Sequence, residues 1–268
     1  FTSIIDRMGR DALAVEALGQ SGFPGKPKAG FDAIPMWVAD MNFPTVPTIA
    51  EAITARVQHH AFGYFGARDE YYDGIIAWQE KRNGVTGLAK EHIGYENGVL
   101  GGVVSALNTF CSRGDKVLVH SPTYIGFTGS LTNNGYDIVH SPLVKNENGV
   151  WRMDFEDMEK KIVEGKIHAA IFCSPHNPCG RVWERWEIEK AMELYKKHDV
   201  FVISDEIYSE LTYGGLQHTS FASLPGMWDY TLTINGFSKS FAMTGWRVGY
   251  ICGAPELISV MNKIHQYS

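Results

Sequence analysis

The amino-acid sequence predicts an α/β fold, a mostly parallel sheet sandwiched by helices, and two observations carry that reading. Short apolar runs near 116–120, 136–141, 167–173, 200–204, 230–235 and 247–252 alternate with longer stretches of helical character near 47–60, 69–83, 99–112, 154–165, 184–198 and 255–266. Strand, crossover helix, parallel strand is the rhythm of such a fold. The chain also holds 28 glycines in 268 residues, which suits the many tight connections the sheet requires.

The first 45 residues differ from the rest. Gly22, Pro24, Gly25, Pro27 and Gly30 punctuate a segment with little periodicity, so residues 1–45 read as an extended N-terminal arm, part of a small domain, and residues 46–268 as the large domain. Further on, Glu96-Asn97-Gly98-Val99-Leu100-Gly101-Gly102 is a glycine-rich turn opening an apolar helix. Free backbone N–H groups and the helix dipole favour an anion there, although a tightly packed helix start would leave the same glycines. Lys116-Val117-Leu118-Val119-His120 is a strand leading into Ser121-Pro122-Thr123-Tyr124, and Asp154 with Glu156 begins the next helix. Ala169-Ala170-Ile171-Phe172-Cys173 runs into the turn Ser174-Pro175-His176-Asn177-Pro178-Cys179-Gly180, where the Asn177 amide can donate. Trp186, Ile188, Ala191, Met192 and Tyr195 form an amphipathic stripe.

Val200-Phe201-Val202-Ile203 reads as a buried strand ending in Ser204-Asp205-Glu206-Ile207-Tyr208. Asp205 therefore falls at a strand's carboxyl end, the edge at which open α/β sheets bind ligands. Tyr230-Thr231-Leu232-Thr233-Ile234 runs into Asn235-Gly236-Phe237-Ser238-Lys239-Ser240-Phe241-Ala242-Met243-Thr244-Gly245-Trp246-Arg247. A lysine amine in that position can form a Schiff base with a carbonyl. Taken singly, Asp205 could be a helix cap, Tyr208 core, Asn177 a plain turn residue and Lys239 a solvated lysine. Strand ends presenting Asn, Asp with Tyr, Lys and Arg in this order point instead to a shared site.

Composition excludes several classes. A formal net charge of −6 gives no basic footprint for nucleic acid. No apolar run approaches the roughly 20 residues needed to span a bilayer, and no leader-like segment opens the chain. Cys111, Cys173, Cys179 and Cys252 form neither a disulfide framework nor a C-x-x-C pair, which fits reduced thiols in a cytoplasm. The ten histidines lack zinc spacing, so no metal is expected. His59, His60, His176 and His218 read as loop or helix-end residues, with His176 close enough to Asn177 to line a site.

The segments Ser174–Gly180, Ser204–Tyr208 and Gly236–Tyr250 resemble those of the class I/II aminotransferases of the fold type I family dependent on pyridoxal 5'-phosphate (PLP), and the spacings between Asp205, Lys239 and Arg247 agree. The resemblance implies the PLP-dependent transferase large domain, with Lys239 as the Schiff-base lysine and Asp205 as partner of the ring nitrogen. It implies Asn177 and Tyr208 as donors to the phenolic oxygen, Tyr124 stacked on the ring, and Arg247 with Ser238 as phosphate ligands. It also implies that Gly98, Val99 and Leu100 cradle the phosphate through their backbone; many members carry a hydroxyl or amide side chain where this chain has Val99 and Leu100. Tyr64, in Phe62-Gly63-Tyr64-Phe65-Gly66, resembles a tyrosine that reaches the phosphate of the neighbouring subunit, which implies a homodimer, although its aromatic neighbours could equally be packing residues.

In this family a long interdomain helix and most of a small domain follow, including an arginine for the substrate carboxylate, so the small C-terminal domain is expected to be missing and the chain to be a fragment. Amino transfer between an amino acid and a 2-oxo acid is the first expectation. Pro35-Met36-Trp37-Val38-Ala39-Asp40-Met41-Asn42-Phe43-Pro44, however, resembles the amino-terminal signature of C–S β-lyases of the cystathionine β-lyase type, which usually has Asp at the place of Asn42. Such an enzyme would release thiol, pyruvate and ammonia. A PLP-fold chain serving as a regulatory or binding protein stays open as a third reading.

Overall fold

The computed structural model describes residues 3–264, which fall into two compact units. One takes the residues up to Tyr64 together with Phe237–Trp246; the other takes Phe65–Gly236 together with the residues from Arg247 on.

The first unit has little regular structure, as its glycines and prolines predict: a single turn of helix, α1 (Leu13–Glu16), the helix α2 (Pro47–Val57), which opens on proline, and a 3-10 turn at Thr244–Trp246. Side chains tie it together. Arg7 Nη2 donates to Asp40 Oδ2 at 2.8 Å, Trp37 Nε1 to the Ala14 carbonyl at 3.0 Å and Thr45 Oγ1 to the Phe241 carbonyl at 2.6 Å.

In the second unit the chain runs α3 (Asp69–Asn83), β1 (Ile93–Glu96), α4 (Gly98–Phe110), β2 (Lys116–Ser121), α5 (Ile125–Asn133), β3 (Asp137–Pro142), β4 (Val144–Lys145), β5 (Trp151–Arg152), α6 (Phe155–Gly165), β6 (Ala169–Cys173), α7 (Arg185–Lys197), β7 (Phe201–Asp205), β8 (Thr231–Gly236), β9 (Gly249–Cys252) and α8 (Pro255–Ile264). Seven strands form one sheet in the order β1-β9-β8-β7-β6-β2-β3. Neighbours from β3 to β8 are parallel, and β9 is antiparallel to both β8 and β1. The ends of β1, β2, β6, β7 and β8 and the start of β9 therefore share one edge.

Alternation along the strands sorts the core onto two faces. Leu118, Ala170, Phe172 and Val202 pack with Met158 of α6 and Ile188, Met192 and Tyr195 of α7. Val117, Val119, Ile171, Ile203 and Ile234 pack on the other face with Val103 and Leu107 of α4, Phe127 and Leu131 of α5, and Ile258 and Met261 of α8. Caps set the helix ends: Asp154 accepts from Asp157 N at 3.0 Å to start α6, and Glu187 Oε2 accepts from Glu184 N at 2.9 Å to start α7. β1 and α5 are absent from the sequence expectation for physical reasons. β1 is a four-residue strand containing Gly94, and α5 carries Gly126, Thr128, Gly129, Ser130 and Thr132, all weak helix formers that hold their place through buried Phe127 and Leu131. The helix expected near 47–60 ends at Val57, and residues 265 and 266 of the last expected helix lie outside the described residues. Among the described residues, no helix is long and apolar enough to cross a membrane.

Phe172 is fully buried and makes ring contacts with His120, Trp183 and Phe221. Phe172→Ala should cost about 3–5 kcal/mol of stability, read as a lower urea midpoint at unchanged m-value.

Candidate active site

Backbone geometry creates the first feature of the shared sheet edge. β1 ends at Glu96, and the chain turns through Gly98, at φ +74°, into α4. Gly249, at the start of β9, packs directly against this turn: a Cβ there would lie 3.0 Å from the Gly98 carbonyl carbon. That approach brings in Arg247, whose guanidinium covers Gly98 so closely that a Cβ on the glycine would stand 2.5 Å from Nη2 and 2.9 Å from Cζ. Arg247 itself holds φ +52°, a left-handed conformation costing about 1–2 kcal/mol for a residue with a side chain. A guanidinium and the positive end of a 13-residue helix thus meet at one point, where the helix dipole favours an anion.

Asp205 supplies the opposite charge further along the edge. It is buried at the end of β7, in register with Cys173 of β6, and its Oδ1 accepts from Ile207 N at 3.0 Å. Cys173 Sγ accepts from the backbone N–H of Asn177 at 3.4 Å and donates to the Pro175 carbonyl at 3.3 Å, so the thiol shapes the turn that carries Asn177. Tyr208 stands close enough to Asp205, Cys173 and Tyr124 to feel all three; burial first, then those neighbours, push its hydroxyl up to about 12. At neutral pH it is therefore a hydrogen-bond donor. The ring of Tyr124 folds back over Gly126, where a Cβ would collide with it, and stands edge-on to Phe127 at 5.4 Å. The second unit thus brings together Gly98, Val99, Leu100, Tyr124, Asn177, Asp205, Tyr208 and Arg247 at one edge of its sheet.

Lys239, Ser238 and Tyr64 belong to the first unit. Three residues beyond the end of β8, Lys239 Nζ donates to the Ala39 carbonyl at 2.7 Å, while Thr244 Oγ1 donates to Asp40 Oδ1 at 2.8 Å. The lysine segment and the Pro35–Pro44 segment are thus stitched to each other. Ser238 is buried, and Tyr64 is fully exposed.

Several participants escape sequence reasoning. Glu206, beside Asp205, is fully buried and accepts from Ser204 Oγ, Ser220 Oγ and Phe221 N, with His218 Nε2 2.9 Å away. It pins the 218–221 loop under the site, a role with no local pattern to announce it. His218, expected as an ordinary loop residue, is buried by that pairing. His176 is buried too, against Trp183 and the backbone of His120. Burial, joined by its neighbour His176, pushes His120 down to about 3, and burial pushes His176 down to about 4; both rings are neutral. Glu96 moves the other way, raised to about 7 by burial against a hydrogen bond from Ser105.

Comparison with known proteins places this arrangement among described chains. A family model described as aminotransferase class I and II matches residues 34–267. A cystathionine beta-lyase of Bacillus subtilis (strain 168) is 38% identical over 221 residues, 82% of this chain and 57% of the relative. A bifunctional aspartate aminotransferase and glutamate/aspartate-prephenate aminotransferase of Petunia hybrida is 38% identical over 240 residues, 88% of this chain and 49% of the relative. The crystal structure of a PLP-bound C-S lyase from Staphylococcus hominis superposes with a TM-score of 0.87 at 32% identity, covering 98% of this chain and 66% of that one. The chain spans about half the length of these curated relatives and about two thirds of the solved structure.

The buried ionisable groups predict an acid response. His120 and His176 have folded values below the ordinary 6.5, so below that pH the unfolded chain takes up two protons that the folded chain refuses, and stability falls. Glu96, raised above 4.5, returns one proton's worth of stability between about pH 7 and 4.5. Unfolding free energies measured from pH 7 to 4.5 should thus decline on acidification. His176→Asn should flatten the decline and Glu96→Gln steepen it, each by up to about 1.4 kcal/mol per pH unit.

Proposed function

The chain belongs to the class I and II aminotransferase family, and from that premise we propose that it binds PLP and transforms α-amino acids through Lys239. The observation that carries this reading is the meeting of Arg247 with Gly98 at the start of α4, on the same sheet edge as buried Asp205. PLP is a phosphate monoester on a basic pyridine ring, and this edge offers cationic and N–H donors for the one and an acid for the other. Where other members use a hydroxyl or amide, Val99 and Leu100 can contribute only backbone, so the grip on phosphate rests on backbone N–H groups, Ser238 and Arg247.

When bound, PLP supplies an electron-accepting ring that lowers the cost of removing the proton from an amino acid's α-carbon. The protein's residues make that acidity usable. Asp205, short of water, would keep the pyridine nitrogen protonated. The Tyr208 hydroxyl and the Asn177 amide would donate to the phenolic oxygen, and the Tyr124 ring would shield one ring face from water. Lys239 removes the α-proton and returns it, and the Ala39 carbonyl, 2.7 Å from Nζ, orients the amine between those acts. Tyr64, fully exposed on its own subunit, supports a homodimer in which it completes the partner's phosphate site.

Amino transfer to a 2-oxo acid is the reaction we assign first, on Gly236–Tyr250. β-Elimination from a C–S substrate is the second reading, and a specific observation favours it: the lyase-like Pro35–Pro44 segment is hydrogen-bonded to the lysine segment through Ala39 and Asp40. Incubating the complete protein with an amino acid plus a 2-oxo acid, and separately with L-cystathionine, distinguishes the two by amino exchange or by pyruvate with free thiol; neither product would leave a PLP-fold binding protein.

Borohydride reduction of the PLP-loaded protein followed by peptide mapping should recover the cofactor on the Lys239 peptide, and Lys239→Ala should abolish turnover; recovery on another lysine would overturn the assignment. Asp205→Asn should retain most of the cofactor yet lose about 10²-fold or more in kcat, because phosphate is held elsewhere while the ring loses its charge partner. Near-normal turnover would make Asp205 a structural acid.

A further inference from the structure

The opposite edge of the same sheet holds a second cluster of chemistry-bearing side chains. Cys111 caps the carboxyl end of α4, Asp115 directly precedes β2, and His168 directly precedes β6. β2 and β6 are parallel neighbours, so the last two residues start side by side. A tight turn returns the chain from α4 to β2: Asp115 N donates to the Ser112 carbonyl at 3.0 Å, and Asp115 Oδ2 accepts from Ser112 N at 2.6 Å. Cys111 and Asp115 are thereby folded onto each other. His168 Nε2 approaches Asp115 Oδ2 to 3.3 Å, and the three ligand atoms, one from each residue, all lie within 4.8 Å of one another.

We propose that Cys111, Asp115 and His168 form a binding site for Zn²⁺ or a similar thiophilic divalent cation, with water as the fourth ligand. Sulfur, imidazole and carboxylate together are the donor set zinc accepts, and a tetrahedral ion with bonds of about 2.0–2.3 Å sets its ligands roughly 3.3–3.8 Å apart. Rotation of the His168 side chain, 48% exposed, can close the difference. The electrostatics agree: the carboxyl end of a 13-residue helix favours a cation, with Arg113 in the turn the opposing charge. Binding expels the Cys111 thiol proton into solvent as the S–metal bond forms. The chain order hid this set, because its members come from three connections rather than from a paired Cys or His motif. Such an ion would clamp the end of α4 to the beginnings of β2 and β6, at the far end of the helix whose first turn bears Gly98.

The test uses the full chain and cobalt(II) chloride. Titration should give one equivalent of Co²⁺ with a thiolate-to-cobalt charge-transfer band, displaced by Zn²⁺, and Zn²⁺ should raise the thermal midpoint. Cys111→Ser should remove the band, and His168→Asn, at a half-exposed position that leaves folding intact, should weaken Co²⁺ binding more than about tenfold. Absence of the thiolate band in the unsubstituted chain, or unchanged Co²⁺ affinity in His168→Asn, would overturn the proposal. Neither outcome depends on PLP.

Discussion

A guanidinium pressed onto the first residue of a helix is the constraint on which the candidate site depends. Both partners are positive, and Arg247 occupies a left-handed backbone conformation to be there. Glycine at 98 and at 249 makes the approach possible, since a side chain at either position would separate β9 from the start of α4. The fold holds this arrangement from both sides: α4 is anchored by Val103, Ala106 and Leu107 in the core, and β9 is zipped between β1 and β8. Core packing of this kind can sustain a strained backbone conformation at a site.

The sheet and most of its helices were readable from the chain because buried parallel strands are apolar runs and their crossover helices carry clear stripes. The placement of Asn177, Asp205, Tyr208 and Lys239 at or just beyond strand ends is readable for the same reason, each following an apolar run closely. Short elements were not. β1 owes its place to pairing with β9 and α5 to two buried residues, and both depend on neighbours distant in sequence. The support beneath Asp205 was equally hidden, since Glu206 finds its partners at residues 218–221, across a loop without periodicity. In the sequence Cys173 reads as an ordinary thiol, and its part in shaping the Asn177 turn becomes visible only once β6 and β7 are placed in register.

Neutral imidazoles beneath the Asn177 turn carry a further implication. His120 and His176 are buried as polar groups that refuse a proton, each with Nδ1 lacking a protein partner. Uncharged rings fill that volume without carrying a buried charge, at the cost of the acid sensitivity such burial brings.

The two reaction readings meet in one piece of structure. Lys239 lies in the segment that resembles aminotransferases, and the carbonyl holding its amine belongs to Ala39, in the segment that resembles C–S lyases. The second bond between them, Thr244 to Asp40, is backed by Arg7, which grips Asp40 at 2.8 Å and reaches the Met41 carbonyl and the Asn42 side chain. In the proposed chemistry both outcomes would begin with the same removal of the α-proton by Lys239 and would differ in whether amino exchange or loss of a β-thiolate follows. The groups that steer the lysine amine therefore bear directly on the outcome. Asn42 sits among them where lyases of this type usually have an acid, and a neutral amide there accepts from Arg7 without adding the second negative charge that would draw Arg7 away from Asp40.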